Sequence, residues 1–239
     1  MKLVWTIARQ ELRSYFDSLT AYVLLVLFLG FSGIFTWVYG NDIFMYGQAS
    51  LQMFFSVAYV TLFLLIPALT MRSIAEEMKT GTIEMLLTKP ITCRQIVLGK
   101  YLAIIMLIAI VLALTLPYYI SVSFLGNVDH GAVICGYFGL LLMSSAYAGI
   151  GLFASSITNN QIISFMLALI IGIFFHLIFG IIGHQLGGGL GLIAVGLDMN
   201  SHFDSIARGV IDSKDIVYFA SLTFAGIFLA EQSLKSKIL

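Results

Sequence analysis

The chain has 239 residues, 60% of them apolar and 10% charged, with a mean hydropathy of +1.01 and a formal net charge of zero. Soluble domains carry about 25% charged residues, so 12 basic and 12 acidic side chains cannot cover a water-facing globule of this size, but they suffice for a protein whose waist lies in lipid. The balanced charge offers no global field for nucleic acid, and the two cysteines, Cys93 and Cys135, fit neither a disulfide framework nor a Cys-x-x-Cys site.

Residues 2–17 interleave Lys2, Arg9, Glu11, Arg13 and Asp17 with Leu3, Val4, Trp5, Ile7, Leu12, Tyr15 and Phe16. This spacing predicts an amphipathic helix in the headgroup plane, with Trp5 and Tyr15 as anchors. The plainer alternative is a basic leader into the first span. The charges interrupt any signal-peptide core. The apolar run that follows is too long for such a core and has no small-residue cleavage site, so it is expected to stay in the mature protein.

A hydrocarbon core about 30 Å thick takes about 20 apolar residues as a helix. Backbone groups in lipid must be satisfied internally, which leaves helices or closed barrels. The runs 19–39, 51–71, 101–120, 132–153, 162–183 and 216–230 read as six transmembrane helices, and none alternates as a barrel strand does. The last is short, but Glu231 and Lys235 can snorkel to the interface. Pro67 and Pro117 lie near the ends of the second and third runs and each removes a helical hydrogen bond there.

The longest charged loop, Arg72–Lys100, joins the second and third runs. Ser73 with Glu76, and Thr92 with Gln95, are capping-box patterns. Gly81 can close a short helix in the left-handed conformation. Thr82 can cap the next, with Glu84 in its first turn, and Pro90 forces a break before the third run. The segment therefore predicts a short helix, a sharp turn at 80–82 and a second short helix carrying Ile83, Leu86 and Leu87. That apolar face can lie on the membrane or enter a protein groove.

Ser144, Ser145, Ala146, Ala148, Gly149, Gly151, Ala154, Ser155 and Ser156 crowd the fourth run, and Gly172, Gly180 and Gly183 mark the fifth. Small residues let helix backbones approach closely. His176, within the fifth run, reads as one partner of a helix–helix hydrogen bond ahead of a proton relay. His130, His184 and His202 lack the i, i+3 or i, i+4 pairing of a metal site. Residues 184–200 are apolar but broken by Gly187, Gly188, Gly189, Gly191 and Gly196. They predict a re-entrant or surface-lying pair of short helices, not a seventh crossing.

Six crossings put Lys2, Arg9, Arg13, Arg72, Lys79, Lys89, Arg94, Lys100, Lys235 and Lys237 on one face and only Arg208 and Lys214 on the other, ten against two of the 12 basic residues. The excess marks the cytoplasmic face, which then holds both termini. No Gly-x-x-x-x-Gly-Lys-[Ser/Thr] occurs, so the chain has no P-loop of its own.

The string Glu-Glu-x-x-x-Gly-Thr-Ile-Glu-x-Leu-Leu-x-x-Pro-Ile, residues 76–91, resembles the loop between the second and third spans of type-2 ATP-binding-cassette exporter permeases. The resemblance covers nearly the whole chain. It implies one all-α permease domain, residues 1–239, with an interfacial helix at 2–17, six spans, a cytoplasmic coupling helix within 72–95 and an outer re-entrant element at 184–215. Ile96–Lys100 and His202–Val210 are similar to the gliding-motility-type permease branch of Bacteroidota. The resemblance further implies a bacterial inner-membrane protein that is not itself an enzyme. ATP and Mg would sit on a separate ABC ATPase subunit, and no cofactor on this chain. The other partners would be membrane lipid and a second permease copy or an auxiliary permease-like subunit.

By position, Glu77, Gly81, Thr82, Glu84, Leu86, Leu87 and Pro90 would form the element that docks on the ATPase. Gly81 and Thr82 would set its turn, Glu84 would pair with a basic group, and Leu86 and Leu87 would be buried. A pathway between two copies would involve Tyr59, Thr61, Phe165 and His176. Its aromatic neighbours Phe54, Phe55, Phe63, Phe174 and Phe175 suit a lipidic or amphipathic cargo, though the sequence names no substrate. Two other classes stay open: a non-transporting membrane anchor of a motility or secretion machine, and a secondary transporter. The latter calls for buried charges or broken helices in paired halves, and no such repeat is visible.

Overall fold

The computed structural model describes residues 2–38, 50–83, 91–186 and 188–238. Its regular structure is helical throughout the described residues. In chain order the helices are α1 (Lys2–Asp17), α2 (Thr20–Trp37), α3 (Gln52–Thr70), α4 (Ala75–Thr80), α5 (Cys93–Ala113), α6 (Leu116–Leu125), α7 (His130–Ile157) and α8 (Gln161–Ile173). A π turn, Phe174–Ile178, carries α8 into α9 (Phe179–Gln185), followed by α10 (Gly188–Val195), α11 (Met199–Ala207) and α12 (Ser213–Ile238). Among the described residues six helical runs are long and apolar enough to cross a bilayer: Thr20–Trp37, Gln52–Thr80, Cys93–Leu125, His130–Ile157, Gln161–Gly183 and Ser213–Lys237.

The fourth run, α7, is the hub. Its small residues are the reason, since α3, α5, α8, α11 and α12 all pack against it. A Cβ on Gly226 of α12 would sit 2.4 Å from the carbonyl carbon of Gly149, so these two backbones touch directly. Toward α3, a Cβ on Gly151 would meet Thr70 Oγ1. Polar side chains add bonds across the seams. Ser145 Oγ reaches Thr223 Oγ1 at 2.8 Å, Tyr101 Oη reaches Ser145 Oγ, and Thr115 Oγ1 pairs with Tyr137 Oη at 2.9 Å. Each such bond stabilises a membrane bundle by about 0.6–2 kcal/mol.

The third run begins at Cys93, earlier than hydropathy indicates, because Ile96, Val97, Gly99 and Lys100 are covered by α1. It is broken at Leu114–Thr115, where Thr115 Oγ1 donates to Leu112 O at 2.6 Å. Pro117 stands in the first turn of α6, where its missing N–H leaves no helical bond unmade. Pro67 lies inside α3, near its end.

His176 sits in the π turn, its Nδ1 2.8 Å from Tyr147 Oη and its ring stacked on Tyr59 and Phe63. This is the helix–helix bond expected of it. Tyr59, Phe54, Phe55 and Phe63 are buried inside the single chain, as is His176. They knit α3 to α7 and the π turn. Thr61 and Phe165 are half-buried and Phe174 is exposed.

Beyond α9 the chain doubles back. A Cβ on Gly183 would meet Val195, and one on Gly180 would meet Asp198, so α10 runs alongside α9 toward the bundle interior. Helix α11 then returns, and Gly209 lies against Ala132 near the start of α7. At 8 and 9 residues, α10 and α11 are about 12–14 Å long and cannot span. The chain's two ends therefore lie at the same end of the bundle. There Ser233 Oγ donates to Ser156 O, and Lys237 Nζ to Ile157 O, at the close of α7.

Candidate coupling site

Residues 72–83 and α1 meet on the first turns of α5. Two sequence features build this junction. Gly99 has no side chain where Ile7 arrives, and a Cβ there would lie 2.6 Å from Ile7 Cγ2. Lys100, the next residue, is buried with its side chain 2% exposed, and its Nζ lies 2.7 Å from Glu11 Oε1 of α1 and 2.7 Å from Glu77 Oε1 of α4. One ammonium thus holds two carboxylates from elements 89 and 23 residues away. Glu77 Oε2 is buried and has no partner among the described residues. Glu77 therefore faces inward, as a strut from α4 to the bundle.

The start of α4 is also tied down. Ser155 Oγ of α7 accepts from Ile74 N–H at 3.1 Å and Ala75 N–H at 3.0 Å, and donates to Met71 O at 3.2 Å. The Ser73–Glu76 capping box expected from sequence does not form. Helix α4 has no side-chain cap of its own, and Ser73 Oγ instead bonds Tyr15 Oη of α1 at 3.3 Å. Tertiary packing brings α7 and α1 to the site, and each offers a partner that the local pattern could not reveal. Burial pushes the Tyr15 phenol up to about 12, with the Ser73 hydroxyl pulling the other way, so Tyr15 stays neutral.

The other end of α4 follows the sequence. Gly81 closes it at φ 71°, a backbone that L side chains rarely adopt. Thr80 Oγ1 donates to Glu76 O at 2.9 Å and meets Thr82 Oγ1 at 3.0 Å, while Thr82 Oγ1 donates back to Glu77 O at 3.3 Å. Glu77, Gly81 and Thr82 are thus brought together. Ile83, expected on an exposed face, is buried in the main core instead. Glu84, Leu86, Leu87 and Pro90 lie outside the described residues. Thr92 and Gln95 form the expected box, Thr92 Oγ1 accepting from Gln95 N–H at 3.3 Å and Gln95 Oε1 from Thr92 N–H at 3.0 Å.

Beside this junction a crevice of about 700 Å³ opens between Lys79, the 157–162 turn and Lys237. Asn160 caps α8 there, its Oδ1 accepting from Ile162 N–H at 2.9 Å.

Sequence reasoning missed one buried ionisable pair at the far end. His202 Nδ1 lies 2.6 Å from Asp215 Oδ1, and its Nε2 lies 3.1 Å from Gly196 O. The signal was weak, because the partners are 13 residues apart on different helices.

We expect Ser155→Ala to lower stability by about 1–3 kcal/mol, since it leaves buried N–H groups at 74 and 75 unpaired. Denaturation in detergent measures the loss, and faster amide exchange at Ile74 and Ala75 localises it.

Six apolar crossings around a small-residue hub, with a polar helical junction at the end holding both termini, define a multi-pass membrane protein. The family model described as ABC-2 family transporter protein matches residues 5–196, and the chain belongs to that family. Members are membrane transport subunits that normally work with an ABC ATPase. No curated protein matches the chain.

Proposed function

We propose that this chain is the membrane-spanning permease subunit of an ATP-binding-cassette exporter, driven by a separate ATPase that carries the ATP and Mg. It sits in a bacterial inner membrane with both termini cytoplasmic, and pairs with a second copy or an auxiliary permease-like subunit. In this reading α1 is interfacial, 184–215 is re-entrant from the outer side, and residues 72–95 are the coupling element. The likeness of 96–100 and 202–210 to the gliding-motility branch favours motility or envelope secretion as the setting.

One observation carries the coupling role: Lys100 fastens Glu77 of α4 to Glu11 of α1 at the root of α5. A push on α4 cannot be absorbed locally, because separating buried opposite charges costs about 3–5 kcal/mol. The push is passed instead to α1 and to the third span. Ser155 carries the same load to α7. Lys79 and Lys237, flanking the crevice at this end, suit an acidic surface on the ATPase.

The test is co-purification with the ABC ATPase subunit that this reading requires. Glu84→Arg and Leu86→Asp should each weaken assembly and cut stimulated ATP hydrolysis about tenfold or more, the scale of losing a central interface contact. Unchanged assembly and unchanged stimulation would overturn the coupling role.

A further inference from the structure

Helices α2 and α3 leave a long groove on the bilayer-facing side. Its outer stretch, about 560 Å³, is walled by Phe31, Val60 and Leu64. Its inner stretch, about 290 Å³, runs past Val23 and Ala68. Leu27 and Leu65 line both, so the two stretches join. From Met53 to Met71 the groove follows about 27 Å of helix, most of a hydrocarbon core about 30 Å thick. The outer stretch is almost wholly apolar, with Ser56 and Thr61 as its two hydroxyl side chains.

The end nearest α1 differs in charge. Arg72 lines the groove there and is exposed, and among the described residues no carboxylate lies within ion-pair distance of it. The N-terminus of α2 opens at the same place, with Leu19 and Thr20 on the lining. Leu19, its N-cap, supplies no side-chain acceptor, and Ser18 Oγ accepts from Thr20 N–H at 3.4 Å. A guanidinium and the positive end of an 18-residue helix thus converge at the mouth of an apolar channel.

We propose that this groove binds an anionic glycerophospholipid, with one acyl chain between α2 and α3 and the phosphate at Arg72 and the first turn of α2. The arrangement matches the two halves of such a molecule in the order the bilayer presents them. The apolar surface that a second copy would most readily bring to it carries no anion. The most exposed crossing of this chain, Gln161–Gly183, contains no acidic residue to bring to Arg72. A flat helix face would exchange lipid without preference; a two-walled groove with a fixed cation selects by headgroup charge.

The experiment reconstitutes the full chain in phosphatidylcholine vesicles doped with phosphatidylglycerol, extracts it gently and counts retained lipid by native mass spectrometry. The wild type should retain phosphatidylglycerol in preference to phosphatidylcholine. Arg72→Gln should cut retained phosphatidylglycerol about fivefold, and Arg72→Lys should keep most of it. Ala68→Phe, which fills the inner stretch, should lower retention of both lipids while the protein elutes as the wild type does. Equal retention of the two lipids by the wild type, or no change in Arg72→Gln, overturns the proposal. So does disulfide trapping between Val60→Cys of one copy and Met166→Cys of a second, which would assign the groove to a protein partner.

Discussion

Lys100→Met is expected to destabilise the protein by about 3–5 kcal/mol, the cost of removing one partner from a buried ion pair. Methionine matches the length of the lysine stem, so packing against α1 is largely kept. What is lost is the charge that holds Glu11 and Glu77, both bonded to the same Nζ at 2.7 Å. The two carboxylates are then left facing each other in a partly dry junction. Adding Glu11→Gln and Glu77→Gln should recover a good part of the stability, because like charges no longer repel and an amide pair can share hydrogen bonds. Coupling should not recover with it. The triple variant is expected to melt near the wild type yet respond weakly to the ATPase, because the ionic strut is gone. Denaturation in detergent and ATPase stimulation, measured on the same preparations, separate the two. A Lys100→Met protein that unfolds like the wild type would remove the strut from the argument.

Gly226→Val should be at least as damaging. The new Cβ would lie 2.4 Å from the Gly149 carbonyl carbon and 2.7 Å from its oxygen. Backbone cannot rotate away as a side chain can, so α12 must lift off α7 along its most extensive seam. The cost should exceed the ~3 kcal/mol typical of overpacking. Loss of monodisperse protein on gel filtration is the readout. Ala225→Val, one residue earlier on an exposed face, should change little.

Much of this architecture was legible because lipid leaves the backbone few choices. Six apolar runs had to be helices, and residues 186–197 were too few and too glycine-rich to cross. Local chemistry was legible too: the Thr92–Gln95 box and the left-handed Gly81 follow from residues within four positions of one another. The junction was not. Lys100 looks like a loop lysine in a hydropathy plot; only the arrival of Glu11, from 89 residues away, turns it into a buried centre. Ser155 read as one small residue among many, and its partners at 74 and 75 lie about 80 positions back. Ile83 was assigned to an exposed face because periodicity fixes which residues share a face, not what that face meets. The same gap hid the His202–Asp215 pair. Of the proposed coupling residues, Glu77 lies in the first turn of α4 and Gly81 and Thr82 at its close. Glu84, Leu86, Leu87 and Pro90 lie outside the described residues.

The π turn at Phe174–Ile178 sets the angular phase of everything after it. A wider turn accommodates one residue more than regular helix would, and each residue of an α-helix advances the azimuth by about 100°. Wound instead as regular helix, the same residues would carry that extra step onward. They would swing Gly180 and Gly183 round by about that angle, away from Asp198 and Val195. The hairpin of α9 and α10 would then meet side chains where it now meets bare backbone. The width of this one turn therefore decides whether the chain can turn back on itself.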